Sequence, residues 1–180
     1  MRATTIAFLA IVAAGCSDRS EPRLLPHTRL LYRHGIEEGS RLRPRILPCA
    51  DGRDRTIAPS KASQLVTFWT NGDCATCERH LTGLDAALRK APPASPHVIV
   101  AYAPSATQLA VRQTLAAHTS ALVCFDSQGA YWDDHNLQHT PVTALVDNGR
   151  ILYLNDRPIT STIEQDQLLL TVWKYRGGDR

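Results

Sequence analysis

The chain has 180 residues, of which 43% are hydrophobic, and a formal net charge of +3. That length is enough for one domain with its own hydrophobic core. The charge is nearly balanced, and there is no zinc-finger spacing, helix-turn-helix or aromatic-rich basic sheet, so a recognisable nucleic-acid-binding module is excluded.

The first residues have the features of an export signal. Arg2 precedes an apolar run at 6–14, which is too short to cross a bilayer as a helix. The run ends in the sequence AAGC at 13–16, which resembles a bacterial lipobox, where the cysteine is lipidated and becomes the mature N-terminus. An ordinary secretory signal cleaved near Gly15 is the alternative. Both interpretations place the cysteines in an oxidising compartment outside the cytosol, where disulfides persist.

These features predict a signal peptide at 1–15, a tether at 16–40 and a folded domain at 41–180. The tether would anchor the domain through lipid on Cys16 at the periplasmic side of a bacterial cell envelope. The outer membrane is favoured, because Ser17 stands where an aspartate would resemble an inner-membrane retention signal.

The hydrophobic pattern predicts alternating strands and helices after a short N-terminal hairpin. The hairpin is expected within 45–57, and the core strands at 65–69, 97–102, 121–125, 141–146 and 151–154. Helices are expected after residue 73 and from capping-box patterns at 105–108 and 161–164. Alternating strand–helix units give parallel strands with right-handed crossovers. The sequence Asn148-Gly149 predicts a hairpin that adds an antiparallel edge.

Two cysteines, Cys74 and Cys77, lie between the first core strand and the helix that follows it. A thiol at a helix N-terminus is stabilised as the thiolate by unpaired backbone N–H groups and the helix dipole. A second thiol two residues away can resolve a mixed disulfide. This placement predicts thiol–disulfide exchange. A structural disulfide and half of a zinc site are the alternatives for the same spacing.

The element order, the Cys-X-X-Cys, the sequence Thr140-Pro141 and the segment at 146–151 resemble the thioredoxin superfamily. Within it, the chain is most similar to the membrane-anchored, TlpA-type proteins and redoxins, over about residues 40–175. The resemblance implies an α/β thioredoxin-like fold: a central mixed sheet flanked by helices, with an N-terminal strand or hairpin extension.

The resemblance also implies the roles of the site residues. Cys74 would be the attacking thiol and Cys77 the resolving thiol, and Pro141 would be a cis-proline facing their disulfide. Thr140 would offer backbone hydrogen bonds to a bound partner, and Trp69 would neighbour the site. No cofactor is expected. The expected partners are cysteine-containing exported proteins, together with an upstream reductant or oxidant.

The sequence departs from the TlpA pattern just before the first cysteine. The connection is one residue longer than usual, and Asp73 stands where a tryptophan is common. A carboxylate beside the attacking sulfur disfavours the thiolate. Arg79 and His80, in the first turns of the helix, could offset that charge.

Two other functions fit the same residues. One is a copper carrier or chaperone similar to the Sco-type proteins, with Cys74, Cys77 and His139 as ligands; the simpler expectation for His135 and His139 is exposed loop histidines. The other is a redox-inactive interaction domain that keeps the fold. The sequence leaves open whether Cys49 and Cys124 pair; Cys124 is most simply a buried small hydrophobic residue.

Overall fold

The structure is a computed structural model of the whole chain. It describes residues 35–59, 61, 63–70, 75–90, 96–137, 140–156, 158–159 and 161–177, with side chains omitted at 172, 173 and 175–177.

Within the described residues, seven strands and four α-helices occur, and all except the helix α3 follow in the predicted order. The strands are β1 (Arg45–Pro48), β2 (Asp54–Ile57), β3 (Ser63–Thr70), β4 (His97–Tyr102), β5 (Leu122–Phe125), β6 (Val142–Asp147) and β7 (Arg150–Asn155). The helices are α1 (Ala75–Lys90), α2 (Gln108–His118), α3 (Ala130–His135) and α4 (Thr162–Gly177). The fold prediction is confirmed: a central mixed sheet flanked by helices, with an N-terminal hairpin.

The main sheet has the order β5-β4-β3-β6-β7, and β1 and β2 form a separate antiparallel pair. Strands β3, β4 and β5 are parallel, as strand–helix–strand units require, whereas β6 and β7 are antiparallel to their neighbours. The β6–β7 turn is the predicted hairpin, with positive φ at Asn148 and Gly149. The carboxyl ends of β3 and β4 therefore meet at one edge of the sheet, where α1 begins.

The two faces of the sheet are covered differently. One face packs against α1, α2 and α4 through residues such as Leu81, Leu115 and Leu168. The other face is covered by the N-terminal segment and by α3, with Ile36 and Tyr131 buried against it. The sheet is buried on both sides, which agrees with the nearly continuous apolar strands in the sequence.

One of the two predicted capping boxes forms. At α4, Ser161 and Glu164 exchange backbone and side-chain hydrogen bonds of 2.9–3.3 Å. At the other, Ser105 begins a short 3₁₀ turn, and neither that turn nor α2 has a side-chain cap hydrogen bond. The prediction of a capping box at 105–108 is therefore wrong; the Thr107 hydroxyl donates to the Pro104 carbonyl instead, at 2.9 Å.

Candidate active site

Cys77 lies in the first turn of α1, just beyond the end of β3. Its side chain is 4% exposed and packs in an apolar cluster with Trp69 and Leu81. Cys77 is disulfide-bonded. Its partner lies outside the described residues, because the other described cysteines, Cys49 and Cys124, pair with each other. Cys74 and Asp73 also lie outside the described residues, so their predicted roles stay predictions.

The loop before β6 contacts Cys77 directly. Cys77 Sγ lies 3.8 Å from the carbonyl oxygen of Thr140, and the Thr140–Pro141 peptide bond is cis, as the resemblance implies. The loop is attached to the end of β3, since the Thr70 amide donates to Thr140 Oγ1 at 3.3 Å and the two hydroxyls are 3.0 Å apart. Hydrogen bonds between β3 and this loop thus fix the backbone beside the sulfur.

Trp69 is a core residue next to this site. It is 2% exposed and belongs to the same cluster as Cys77, and its indole Nε1 has no hydrogen-bond partner among the described residues. The structure therefore brings Trp69, Cys77, Thr140 and Pro141 together at one edge of the sheet.

A line of polar side chains crosses the sheet beneath α1. His80 Nε2 is 3.1 Å from Thr143 Oγ1, which is 3.1 Å from Thr67 Oγ1, which is 3.0 Å from His97 Nε2. The amide of Ile159 donates to His80 Nδ1 at 2.8 Å. We call these four side chains the polar chain. It runs between two apolar clusters, one around Trp69 and one around Leu65.

Sequence analysis missed the polar chain, although one signal was present. Thr67 and Thr143 stand on strands that are otherwise apolar, and the register pairs them directly across β3 and β6. A hydroxyl buried in such a strand needs a hydrogen-bond partner, which predicts a second polar residue nearby. The identity of that partner depends on strand pairing, which the sequence alone does not determine.

The structure corrects the expected role of His80. The side chain is buried beneath α1, and burial lowers its pKa to about 4. His80 is therefore neutral at neutral pH and supplies no positive charge to offset Asp73. Arg79 is exposed and donates to Thr76 Oγ1 at 3.3 Å.

The expectation that His135 is an exposed loop residue is wrong. His135 is 5% exposed, lies at the end of α3 and stacks on Tyr131 with ring centroids 5.7 Å apart. No helical pattern is visible in the sequence at this point, because α3 is only six residues long. His139 lies outside the described residues, and within the described part of the chain no group of three or more His, Cys, Asp or Glu side chains could hold a metal ion.

The structure answers the question that the sequence left open about Cys49 and Cys124: they form a disulfide. Cys49 follows β1, Cys124 lies on β5, and the two residues form an isolated antiparallel bridge. The Ala50 amide also donates to the Val123 carbonyl, at 2.7 Å. The N-terminal hairpin is thereby joined to the edge strand of the main sheet.

Comparison with solved structures identifies the fold. StoA from Bacillus subtilis is 18% identical, with a TM-score of 0.59 over 72% of this chain and 96% of that one. The chain has a thioredoxin-like fold. A thio-disulfide isomerase from Thermus thermophilus is 18% identical (TM-score 0.62; 81% of this chain, 100% of that one). A secreted disulfide oxidoreductase from Mycobacterium tuberculosis, homologous to DsbE, is 17% identical (TM-score 0.57; 71% and 93%).

No protein-family profile and no curated protein matches the sequence of this thioredoxin-like chain. Among the described residues, none of the helices has the length and apolar composition needed to cross a membrane.

Proposed function

We propose that this protein is an exported thiol–disulfide oxidoreductase that exchanges a Cys74–Cys77 disulfide with cysteines of other cell-envelope proteins. The observation that carries the proposal is the position of Cys77: a disulfide-bonded sulfur at the start of α1, 3.8 Å from the Thr140 carbonyl. The structural neighbours described above, among them a thio-disulfide isomerase and a disulfide oxidoreductase, support the same chemistry.

The proposed reaction needs no cofactor. In one direction, the Cys74 thiolate attacks a disulfide of the partner and expels one partner sulfur as thiolate. Cys77 then attacks the Cys74 sulfur of the mixed disulfide, which releases the second partner thiolate and closes the Cys74–Cys77 disulfide. The partner gains two electrons and the cysteine pair loses two. An upstream reductant restores the pair, and with an upstream oxidant the same steps run in reverse.

In the proposed reaction the neighbouring residues have distinct tasks. The backbone at Thr140 binds an extended segment of the partner beside the disulfide, and its hydrogen bonds to Thr70 on β3 support this role. Trp69 and Pro141 shield the sulfur from water. Asp73 precedes the attacking thiol, and its negative charge disfavours the thiolate of Cys74.

Peptide mapping of the oxidised protein, coupled to an exchange assay, tests this function. We expect a Cys74–Cys77 disulfide that a small dithiol reduces readily, and catalysed reduction of a disulfide-containing protein substrate. Cys74→Ser should abolish turnover, whereas Cys124→Ser, which removes the other disulfide, should retain it in molecules that fold. A mapped Cys77 bonded to any cysteine other than Cys74, or turnover that persists in Cys74→Ser, would refute the proposal.

A further inference from the structure

Exchange at Cys77 raises a problem of proton transfer. Before Cys77 can attack a mixed disulfide, its thiol must lose a proton, because the thiolate is the nucleophile. The side chain is 4% exposed, and burial disfavours a thiolate. A neighbouring group that accepts the proton would remove this barrier, since general base catalysis requires a positioned acceptor within hydrogen-bond reach.

His80 is the ionisable side chain placed to be that acceptor. It follows Cys77 by three positions on α1, a spacing that puts the two Cβ atoms about 5–6 Å apart on the same helix face. Both side chains are buried beneath the helix. The other buried ionisable residue of α1, Asp85, lies about two turns after Cys77 and already accepts hydrogen bonds from Ser120 and Arg89.

The hydrogen bonds of His80 define its protonation state. The Ile159 amide donates to Nδ1, so Nδ1 carries no proton and Nε2–H donates to Thr143. The Thr143 hydroxyl accepts from His80, so its own proton is available for Thr67. The Thr67 hydroxyl then accepts from Thr143 and donates to His97 Nε2. Donation then runs in one direction, from His80 toward His97.

The far end of the polar chain reaches a cleft. His97 lines an opening of about 200 Å³ together with Asp85, Arg89 and Ser120, at the edge of the sheet opposite Cys77. A proton that enters at His80 therefore has a hydrogen-bonded route beneath α1 to a cleft at the opposite edge of the sheet.

We propose that His80 accepts the proton of the Cys77 thiol when Cys77 attacks the mixed disulfide, and that Thr143, Thr67 and His97 pass a proton on to the cleft. The proposal rests on the function proposed above. The thiol proton moves to His80 Nδ1 and displaces the Ile159 amide. The Nε2 proton then moves to Thr143, the Thr143 proton to Thr67, and the Thr67 proton to His97 Nε2, while His97 Nδ1 releases its proton. The Cys77 electron pair forms the bond to Cys74, and the partner leaves as thiolate.

The charges around His80 suit this role. Burial holds the imidazole neutral in the disulfide-bonded state, so a lone pair is present on the ring. Glu164 on α4 raises the His80 pKa, His97 on β4 is itself neutral because burial lowers its pKa to about 4, and the sheet strands β3 and β6 contribute hydroxyls. A thiolate forming one turn away would favour the imidazolium, since opposite charges within a few ångströms stabilise each other.

A single-turnover reaction with a chromogenic aromatic disulfide tests the proposal. The reduced protein should release two coloured thiolates: the first when Cys74 attacks, the second when Cys77 resolves the mixed disulfide. We expect His80→Gln, which keeps a donor for Thr143, and His80→Asn, which keeps an acceptor for Ile159, to slow the second phase on the order of 100-fold at neutral pH. The first phase should be unchanged, and the second should recover as pH rises toward the thiol pKa.

Matched pairs and a control separate proton transfer from packing. Thr143→Val should slow the second phase, whereas Thr143→Ser, which keeps the hydroxyl, should not; this pair decides the matter if the His80 variants fail to fold. His118→Gln, on α2, should behave as the wild type. An unchanged second phase in folded His80 variants, or equal rates for the Val and Ser variants, would overturn this inference alone. A wild-type protein that releases only one thiolate would refute the proposed function, and the role of His80 with it.

Discussion

At the scale of single residues, the buried histidine beneath α1 makes stability depend on pH. His80 has a folded pKa of about 4, against an ordinary value near 6.5, because it is buried. Between those pH values the unfolded chain binds more protons than the folded chain. The contribution of His80 to the free energy of unfolding is therefore complete above pH 6.5 and is lost as the pH drops toward 4. The loss assigned to this one group is at most about 3 kcal/mol.

Chemical unfolding of the oxidised protein between pH 4 and 7 measures this effect. We expect His80→Gln to have a flatter profile than the wild type over that range, because its side chain does not titrate. His118→Gln, at a partly exposed position on α2, should keep the wild-type slope. Parallel profiles for the wild type and His80→Gln would show that His80 is not protonated differently in the folded and unfolded states.

At the scale of elements, the disulfide between β1 and β5 should stabilise the domain substantially. It joins cysteines 75 positions apart. Closing a loop of that length lowers the conformational entropy of the unfolded chain, which stabilises the folded state by about 4 kcal/mol. The side chains are almost fully buried, Cys49 at 6% and Cys124 at 0% exposure. Both sulfurs of this disulfide are therefore shielded from a partner thiol while the hairpin remains docked. Cys77 is buried to the same degree, so in the function proposed above a partner thiol attacks the other disulfide at the sulfur of Cys74.

Urea unfolding of the double variant Cys49→Ser/Cys124→Ser measures that contribution. We expect its free energy of unfolding to fall by 2–5 kcal/mol, about the range seen for natural disulfides, with exchange activity retained at temperatures where it folds. Wild-type protein treated with a dithiol should lose the Cys77 disulfide before this one. Equal reduction rates for the two disulfides would contradict the proposal that only the Cys77 disulfide is open to attack, at the Cys74 sulfur.

The elements that could be predicted are those whose local pattern and long-range packing agree. The strand β3 and the turn at Asn148-Gly149 formed as expected, because an apolar run and a positive-φ turn are encoded within a few residues. The Cys49–Cys124 bond and the contact between Thr67 and Thr143 could not be predicted, since both depend on which strands become neighbours. The burial of His135 was missed for a different reason: α3 is too short to show a helical period.

At the scale of the whole molecule, the predicted location of the protein depends on its N-terminal segment. A lipid on Cys16 would tether the domain to the membrane. Gly35 is the first residue that the structure describes, and the chain from Cys16 to Gly35 could span at most about 65 Å. Exchange partners would then have to lie within that distance, plus the width of the domain, of the membrane surface. The several acyl chains of a bacterial lipoprotein hold a protein firmly, whereas one chain holds it only marginally.

Replacing the predicted lipidation site tests this placement. We expect Cys16→Ser to move the protein from the membrane fraction to the soluble periplasmic fraction, or to leave the signal uncleaved. The purified variant domain should keep the exchange rate of the wild type, because Cys16 lies far along the chain from the site at Cys77. The intact mass of the mature wild-type protein should include acyl chains on an N-terminal cysteine. A mass that matches an unmodified N-terminus beyond Cys16 would instead establish an ordinary secretory signal, and the distance limit on exchange partners would no longer apply.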